Sequence, residues 1–180
     1  MRKALVFLGV LDDADIGWMI RTGVKRAVPP GQAIVREGRS IESLFIVLSG
    51  LFSVQVGAQG SGPGQEVAQL RSGEVVGEIS FVDSRPPTAT VIAAENSRVL
   101  EISRSDLMEK IEEDTAFGSR FYRALAMFLG DRLRASVARL GYGKSAPGKE
   151  DIDELSPEML EMVSLAGTRF QQMEAALFGG

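Results

Sequence analysis

The chain has 180 residues, of which 44 % are hydrophobic and 24 % are charged, so it is long enough for one globular domain with a helical appendage. It contains no cysteine and no histidine, which excludes disulfides, thiolate or imidazole metal sites and histidine-dependent serine hydrolases; we therefore predict no metal site. The formal net charge of −4 gives no reason to expect nucleic acid as a partner.

The N-terminal segment is expected to fold with the domain. An apolar run over residues 4–11 could pass for the start of a signal peptide, but it ends abruptly at two aspartates. No small-residue signal-peptide cleavage site follows it. The run is also far too short to span a membrane, so we expect a cytoplasmic protein with no membrane partner. Asp12 or Asp13 then predicts the cap of a helix that continues through Ile20 and ends at Gly23.

Between residues 24 and 102 the pattern changes to short β-type runs separated by turn residues. Eight such runs at this spacing predict an antiparallel β jelly roll or barrel, and hence an α+β fold. The predicted strands are 24–28, 33–35, 44–48, 51–56, 66–70, 75–76, 89–93 and 97–102. The glycine-rich stretch 57–64 predicts a flexible hairpin loop, because it lacks the Gly-Lys-Ser/Thr ending of a phosphate loop and no helix follows it.

Residues 73–91 contain the most informative pattern. Glu78 and the four residues after it can form about one helical turn before Pro86 and Pro87 stop it. The unpaired N–H groups of such a turn suit an anion, and Gly77 lets the backbone approach that guest closely. The Glu78 carboxylate can accept hydrogen bonds from hydroxyl groups of the guest. The alternative interpretation of the residues alone is a β-bulge and turn between two strands.

The order of these residues resembles the phosphate-binding cassette of cyclic nucleotide-binding domains, as in protein kinase A regulatory subunits and the bacterial catabolite activator family. There, Gly-Glu-(Leu/Ile)-(Ala/Ser) is followed after a few residues by Pro-Arg-(Ala/Ser/Thr)-Ala-Thr-Val. The resemblance implies that Glu78 holds the ribose 2′-hydroxyl of cyclic AMP or cyclic GMP. The groups that it places around the cyclic phosphate are the backbone of Gly77, Ile79 and Ser80, with Thr88 and Ala89 beside them.

One position departs from the family pattern. The family's phosphate-binding arginine falls on Pro87, which has neither a charge nor a donor. Arg85, two residues earlier, is the only cation inside the loop, so we include it among the candidate ligand-binding residues. Turns at 30–31 and 37–38 and the run 44–50 also resemble the first half of this domain. The resemblance therefore covers about residues 14–141.

Helical spacing returns after the last predicted strand. Ser103 with Asp106 in the first turn is typical of a helix start. The apolar stripe that follows consists of Phe117, Phe121, Leu125, Phe128 or Leu129, Leu133, Val137 and Leu140. In the resembling family the matching helix covers the ligand and pairs with its copy, so we expect a homodimer; the alternative is a helix that packs only on its own domain. The arginines of this helix, including Arg132, are predicted to be solvated or salt-bridged.

The rest of the chain predicts a linker and a second long helix. Residues 142–149 have the composition of a linker. Ser156-Pro157-Glu158 is a strong helix start, and an apolar stripe over 159–177 predicts an amphipathic helix of about five or six turns. This helix is expected to dock on its own domain or on its dimer mate, with partner binding through its methionines as an alternative. We therefore divide the chain into a cyclic nucleotide-binding-like domain (1–141), a linker (142–149) and a helical extension (150–180).

Two functions fit these observations. The first is a non-catalytic regulatory module that senses cyclic AMP or cyclic GMP and needs no cofactor. The second is a degenerate form of the same fold that acts as a dimerisation or protein-interaction module without nucleotide, because losing an arginine–phosphate pair typically weakens binding by several kcal/mol. A transcription factor is disfavoured, since residues from 150 onward carry seven acids and one base, and we expect no binding to duplex DNA.

Overall fold

The computed structural model describes residues 6–57, 64–139 and 157–178, and within these ranges it has eight strands and six helices. The strands are β1 (Val24–Val28), β2 (Ala33–Val35), β3 (Ser43–Ser49), β4 (Phe52–Val56), β5 (Gln65–Leu70), β6 (Val75–Val76), β7 (Thr90–Ala93) and β8 (Ser97–Ser103). The helices are α1 (Val6–Val10), α2 (Asp13–Thr22), α3 (Glu78–Asp83), α4 (Arg104–Glu113), α5 (Thr115–Arg139) and α6 (Pro157–Phe178). The predicted α+β jelly roll is confirmed.

The strands form two four-stranded sheets with the orders β1-β8-β3-β6 and β2-β7-β4-β5, and every pairing is antiparallel. Each observed strand begins and ends within one residue of its prediction. The tip of the predicted hairpin loop between β4 and β5, residues 58–63, lies outside the described residues.

Strand β3 contributes to two separate hydrophobic cores. On one face, Leu44, Ile46 and Leu48 are fully buried against the helices. On the other face, Phe45 and Val47 pack between the two sheets. Because side chains alternate across a strand, a continuous apolar run such as this one is expected where both faces are covered.

Helix α2 begins at the predicted cap, and its first turn is tied to α5. The Asp12 side chain accepts a hydrogen bond from the Asp15 N–H, the Asp15 carboxylate accepts one from the Asp12 N–H, and the helix ends at Gly23. Asp15 is 2 % exposed and accepts hydrogen bonds from Arg120 Nε (2.7 Å) and Nη2 (2.8 Å). Burial alone raises the pKa of the Asp15 carboxyl, but Arg120 and the Asp12 backbone hold it below its ordinary value.

A break that the sequence interpretation did not include separates α4 from α5. The Ser103 hydroxyl caps α4 as predicted, by accepting a hydrogen bond from the Asp106 N–H. Asp114 then ends α4, and its carboxylate accepts a hydrogen bond from the Phe117 N–H in the first turn of α5. This bond lowers the pKa of the Asp114 carboxyl, as does the hydrogen bond from Lys110.

The apolar stripe of α5 divides into a buried half and an exposed half. The residues that lie in the domain's own core are Phe117, Phe121, Leu125 and Phe128. Leu133 and Val137 are 65 % and 40 % exposed, and Leu140 lies outside the described residues. The prediction that the whole stripe forms a dimer interface is therefore wrong for its first half, which the domain itself needs. Dimerisation itself stays a prediction.

Helix α6 packs on α1 and α2 of its own chain. Ala166, Phe170 and Met173 join the same core as the α5 phenylalanines. Arg169 is 7 % exposed; its Nη1 donates to the Leu8 and Gly9 carbonyl oxygens, and its Nε contacts the Asp13 carboxylate. The predicted linker lies outside the described residues, and the boundaries 1–141, 142–149 and 150–180 stay a prediction. None of the helices in the described ranges combines the length and apolar composition of a membrane crossing.

Candidate functional site

The cassette begins with a glycine turn between β6 and α3. Gly77 has a φ of +95°, a conformation that L side chains rarely adopt. A Cβ at this position would lie 2.8 Å from the Ser43 carbonyl oxygen and 3.0 Å from Ile41 Cδ1. Glycine is therefore required here by the backbone conformation and by the packing against β3. The predicted short helix after Gly77 is confirmed. It has six residues and is slightly longer than the single turn that was predicted.

The C-terminal end of α3 is fixed by an arginine from the start of α4. Arg104 Nη1 donates to the Ser80 and Phe81 carbonyl oxygens at 3.1 and 3.0 Å, and its Nη2 donates to Ser84 Oγ at 3.0 Å. The guanidinium also lies 5.1 Å from the centre of the Phe81 ring. The Phe81 carbonyl is one that the helix end leaves unpaired, whereas the Ser80 carbonyl also accepts from the Ser84 N–H. The Arg104 bonds attach the cassette to α4.

A cavity of about 1030 Å³ lies between the cassette, the second sheet and α5. The seven predicted ligand-binding residues all line it: Gly77, Glu78, Ile79, Ser80, Arg85, Thr88 and Ala89. Its apolar wall includes Val35, Leu70 and Val91, and Phe128 lines it from α5. The structure thus brings the seven residues to one cavity, while their contact with a ligand stays a prediction.

Glu78, the predicted ribose contact, is paired with an arginine of α5. It is 2 % exposed, and its Oε1 lies 2.5 Å from Arg132 Nη1. Arg132 Nη2 also donates to the Val75 carbonyl oxygen at 3.3 Å, and the guanidinium lies 4.7 Å from the centre of the Phe128 ring. Burial raises the pKa of the Glu78 carboxyl, and Arg132 opposes that effect. Arg132 was predicted to be either solvated or salt-bridged, and the structure shows it salt-bridged. The sequence offered no signal for its partner.

A second carboxylate lies beside this pair. Glu74 lines the cavity, and its Oε2 is a buried oxygen with no hydrogen-bond partner among the described residues. Burial raises the pKa of the Glu74 carboxyl, and the charge of Arg132 opposes that effect. Sequence reasoning did not include Glu74, although it directly precedes the cassette strand β6.

The charges on the cavity wall are mostly acidic. Among the described lining residues the carboxylates are Glu74, Glu78, Asp83 and Asp131, and the guanidiniums are Arg85 and Arg132. With every group ionised, four acids and two bases give the wall a formal charge of −2. A phosphate entering this cavity therefore needs at least one of the two arginines close to it.

The loop that carries Arg85 and Pro87 is anchored through its backbone. The Pro87 carbonyl oxygen accepts a hydrogen bond from the Gly38 N–H at 2.8 Å. The Arg85 N–H donates to Asp83 Oδ1, but the Arg85 side chain is exposed and makes no hydrogen bond or ion pair with a described residue. Arg85 can thus reorient toward a ligand without breaking a contact seen in the described ranges.

The fold is a jelly roll in which a glycine-led cassette and the long helix α5 border one cavity. The sequence profile described as "Cyclic nucleotide-binding domain" matches residues 25–114, half of the chain. The chain therefore belongs to the cyclic nucleotide-binding domain family.

Individual relatives agree with this assignment. The cGMP-dependent protein kinase of Toxoplasma gondii is 30 % identical over 105 residues, which are 58 % of this chain and 10 % of the kinase. The chain thus corresponds to about a tenth of that relative. A solved cyclic nucleotide-binding domain from Methylobacillus flagellatus KT superposes with a TM-score of 0.68 at 20 % identity, covering 80 % of this chain and 84 % of that one.

The catabolite activator protein of Thermus thermophilus superposes with a TM-score of 0.59 at 22 % identity, covering 94 % of this chain and 83 % of that one. At these identities the two solved structures establish the fold alone.

Proposed function

We propose that the chain is a cytoplasmic, non-catalytic regulatory module that senses a cyclic nucleotide, cyclic AMP or cyclic GMP, in the cassette cavity. The observation that carries this proposal is that all seven cassette residues line one cavity, whose size is that of a typical small-molecule site. Membership of the cyclic nucleotide-binding domain family supports it.

The proposed ligand contacts follow from the cassette geometry. Glu78 is the only carboxylate in the first turn of α3 and accepts hydrogen bonds from the ribose hydroxyl. The N–H groups of Ile79 and Ser80 belong to the first turn, where an α-helix has no internal partners for them, so they are available to the cyclic phosphate. Thr88 and Ala89 line the cavity from the loop that follows α3, and they flank the phosphate.

Arg85 supplies the cation for the phosphate in this proposal. Pro87 has no charge, and Arg132 is held by Glu78, so Arg85 is the lining arginine without an ion pair among the described residues. Because it is exposed, its charge is screened by water and its contribution is smaller than that of a buried arginine. We therefore expect cyclic nucleotide binding that is measurable and weak.

The second candidate function is an interaction module that binds no nucleotide. The acidic wall, the proline at the arginine position and the covered Glu78 carboxylate favour it.

In both candidates two copies pair through the exposed face of α5. Tyr122, Leu133 and Val137 are exposed there, and residues 11 apart lie about three turns apart on one side of a helix. Such a stripe is self-complementary about a two-fold axis.

Calorimetric titration with cyclic AMP and with cyclic GMP separates the two functions. The sensor proposal expects saturable binding by the natural protein, weaker binding by Glu78→Ala and loss of binding by Arg85→Ala. Arg39→Ala is the matched control, because Arg39 is exposed and does not line the cavity. A titration without heat for either nucleotide, in a protein whose β-sheet circular dichroism is intact, contradicts the sensor and leaves the interaction module.

A further inference from the structure

Ser84 ends α3 in a backbone conformation that serine rarely adopts. Its φ is +58° and its ψ is 17°, and it is the one residue other than glycine with a positive φ among the described residues. Its N–H donates to the Ser80 carbonyl oxygen at 3.0 Å, which closes the last turn of the helix. The loop that carries Arg85 leaves α3 directly after Ser84. The direction in which this loop leaves the helix therefore depends on the conformation of Ser84.

Arg104 supplies the side-chain contacts that hold Ser84 in this conformation. Its Nη2 donates to Ser84 Oγ at 3.0 Å. Glycine, the usual residue at a left-handed helix end, has no side-chain oxygen that could accept this bond. The Arg104 Nη1 donates to the Ser80 and Phe81 carbonyl oxygens, so one guanidinium binds both the end of α3 and the residue that follows it. The rigid fork of a guanidinium suits such a set of acceptors better than the single ammonium of lysine does.

Arg104 is itself fixed to the rigid part of the domain. It is the first residue of α4, and its backbone N–H donates to the Glu42 carbonyl oxygen at 2.8 Å. Three residues later, Leu107 is fully buried in the core that the helices share with β3. Arg104 does not line the cassette cavity. Its hydrogen bonds therefore act on the site through the residues that they hold.

Two proposed ligand contacts belong to the segment that Arg104 holds. The Ser80 carbonyl accepts from Arg104, and the N–H of the same residue is a proposed donor to the cyclic phosphate. Arg85, the proposed phosphate cation, directly follows Ser84, and its N–H donates to Asp83 Oδ1. The backbone of both contacts is thus positioned from α4, outside the cavity.

We propose that Arg104 is a positioning residue, which sets the affinity of the site by holding Ser84 in its left-handed conformation and thereby fixing Ser80 and the backbone of Arg85. This inference rests on the proposed function, since it concerns affinity at the same cavity. Without Arg104 the end of α3 adopts several conformations, and the apparent affinity falls in proportion to the fraction of molecules that keep the competent one. If about one molecule in ten keeps it, binding weakens about tenfold.

The test is calorimetric titration with cyclic AMP and cyclic GMP. Arg104→Gln is expected to weaken binding about tenfold. Arg104→Lys, which keeps the charge without the fork, is expected to weaken binding as well. In the Ser84→Gly background, Arg104→Gln is expected to weaken binding by about threefold or less, because glycine adopts a positive φ without support. Leu107→Val is the control, since it lowers the free energy of unfolding from the same helix but leaves the Arg104 bonds in place, and its affinity is expected to be unchanged.

The outcomes separate this inference from the proposed function. Three results with a natural protein that binds overturn the inference and leave the proposed function standing: no loss of affinity in Arg104→Gln, an equal loss in Leu107→Val, or natural affinity in Arg104→Lys. An Arg104→Gln effect that is as large in the Ser84→Gly background also overturns it. No binding by the natural protein or by any variant overturns both.

Hydrogen exchange gives a readout that needs no ligand. The Ser84 N–H is bonded to the Ser80 carbonyl, so its exchange reports opening of the end of α3. This N–H is expected to exchange faster in Arg104→Gln than in the natural protein or in Leu107→Val. An unchanged exchange rate in Arg104→Gln overturns the inference, because Arg104 then does not hold Ser84.

Discussion

Restoring an arginine at position 87 is expected to tighten cyclic nucleotide binding at least about tenfold, or 1.4 kcal/mol. Pro87 lines the cavity on the loop between Arg85 and Thr88, and it has no N–H whose hydrogen bond the substitution could break. Its carbonyl, which accepts from the Gly38 N–H, is retained by any residue. The substitution Pro87→Arg changes the formal charge of the wall from −2 to −1.

The substitution has two effects, of which only the first changes the affinity. A hydrogen bond between charged groups contributes about 1.5–3 kcal/mol. Replacing a proline increases the entropy of the unfolded chain at a cost to stability of about 0.4–1 kcal/mol, which lowers the free energy of unfolding but acts on the empty and the occupied protein alike. The gain in affinity therefore remains at a factor of ten or more.

The assay is calorimetric titration of the natural protein, Pro87→Arg and Pro86→Arg with both nucleotides. Pro86 also lines the cavity and is exposed, so Pro86→Arg adds the same charge one residue away from the family position. A tenfold gain that is confined to Pro87→Arg is expected if an arginine at position 87 contacts the cyclic phosphate directly. An equal gain in affinity in both variants would show that the gain comes from long-range charge attraction and not from a contact at position 87. No gain in either variant would show that the cavity does not accept a cyclic phosphate.

Three further outcomes are expected. Gly77→Ala should lower the free energy of unfolding by more than Gly31→Ala in denaturant titrations. Both glycines have a positive φ, but of the two only Gly77 has backbone within 3 Å of the added Cβ. Equal losses would show that close packing does not require glycine at position 77. Leu133→Glu should give monomers by light scattering with intact β content. Phe128→Glu should unfold the domain instead, because Phe128 is only 3 % exposed. A natural protein that is monomeric at tens of micromolar contradicts the dimer. Asp15→Asn should have a lower free energy of unfolding than the natural protein at pH 7. This difference should disappear as the pH falls below 3.8, because a carboxyl with a lowered pKa stabilises the fold only in its ionised form. A difference that stays constant with pH would show that the ionised Asp15 carboxylate is not its cause.

Most strand boundaries could be predicted because turn residues mark them. Gly31, Gly38, Gly50 and Gly73 all have a positive φ in the structure, and each lies in a turn that the sequence indicates. Between them, β-branched and aromatic residues favour extended backbone. The local pattern of the cassette was less decisive, because Gly77 and the two prolines also fit a β-bulge and turn. The cassette was located by the order of its residues, which resembles the pattern of the family.

Long-range pairings could not be predicted. Glu78 and Arg132 are 54 residues apart, and nothing in either local pattern distinguishes Arg132 from the other arginines of α5. The sequence also could not show which surface α6 packs on, because an amphipathic helix fits its own domain or a second copy. The structure shows that α6 packs on its own chain, where Arg169 donates to the Leu8 carbonyl. The stripe of α5 failed as a single interface for a related reason: helical spacing identifies the apolar face but does not indicate where the helix leaves the core.

If the cassette cavity receives a cyclic nucleotide, the chemical shifts of its backbone amides must change on binding. Titration of the nitrogen-15-labelled natural protein with cyclic AMP or cyclic GMP is expected to give saturable shifts concentrated on the cassette amides of Gly77, Ile79, Ser80, Thr88 and Ala89. The amide of Arg39, outside the cavity, is expected to stay unchanged. If the signals of these cassette amides do not move with either nucleotide at millimolar concentration, the cavity does not bind a cyclic nucleotide.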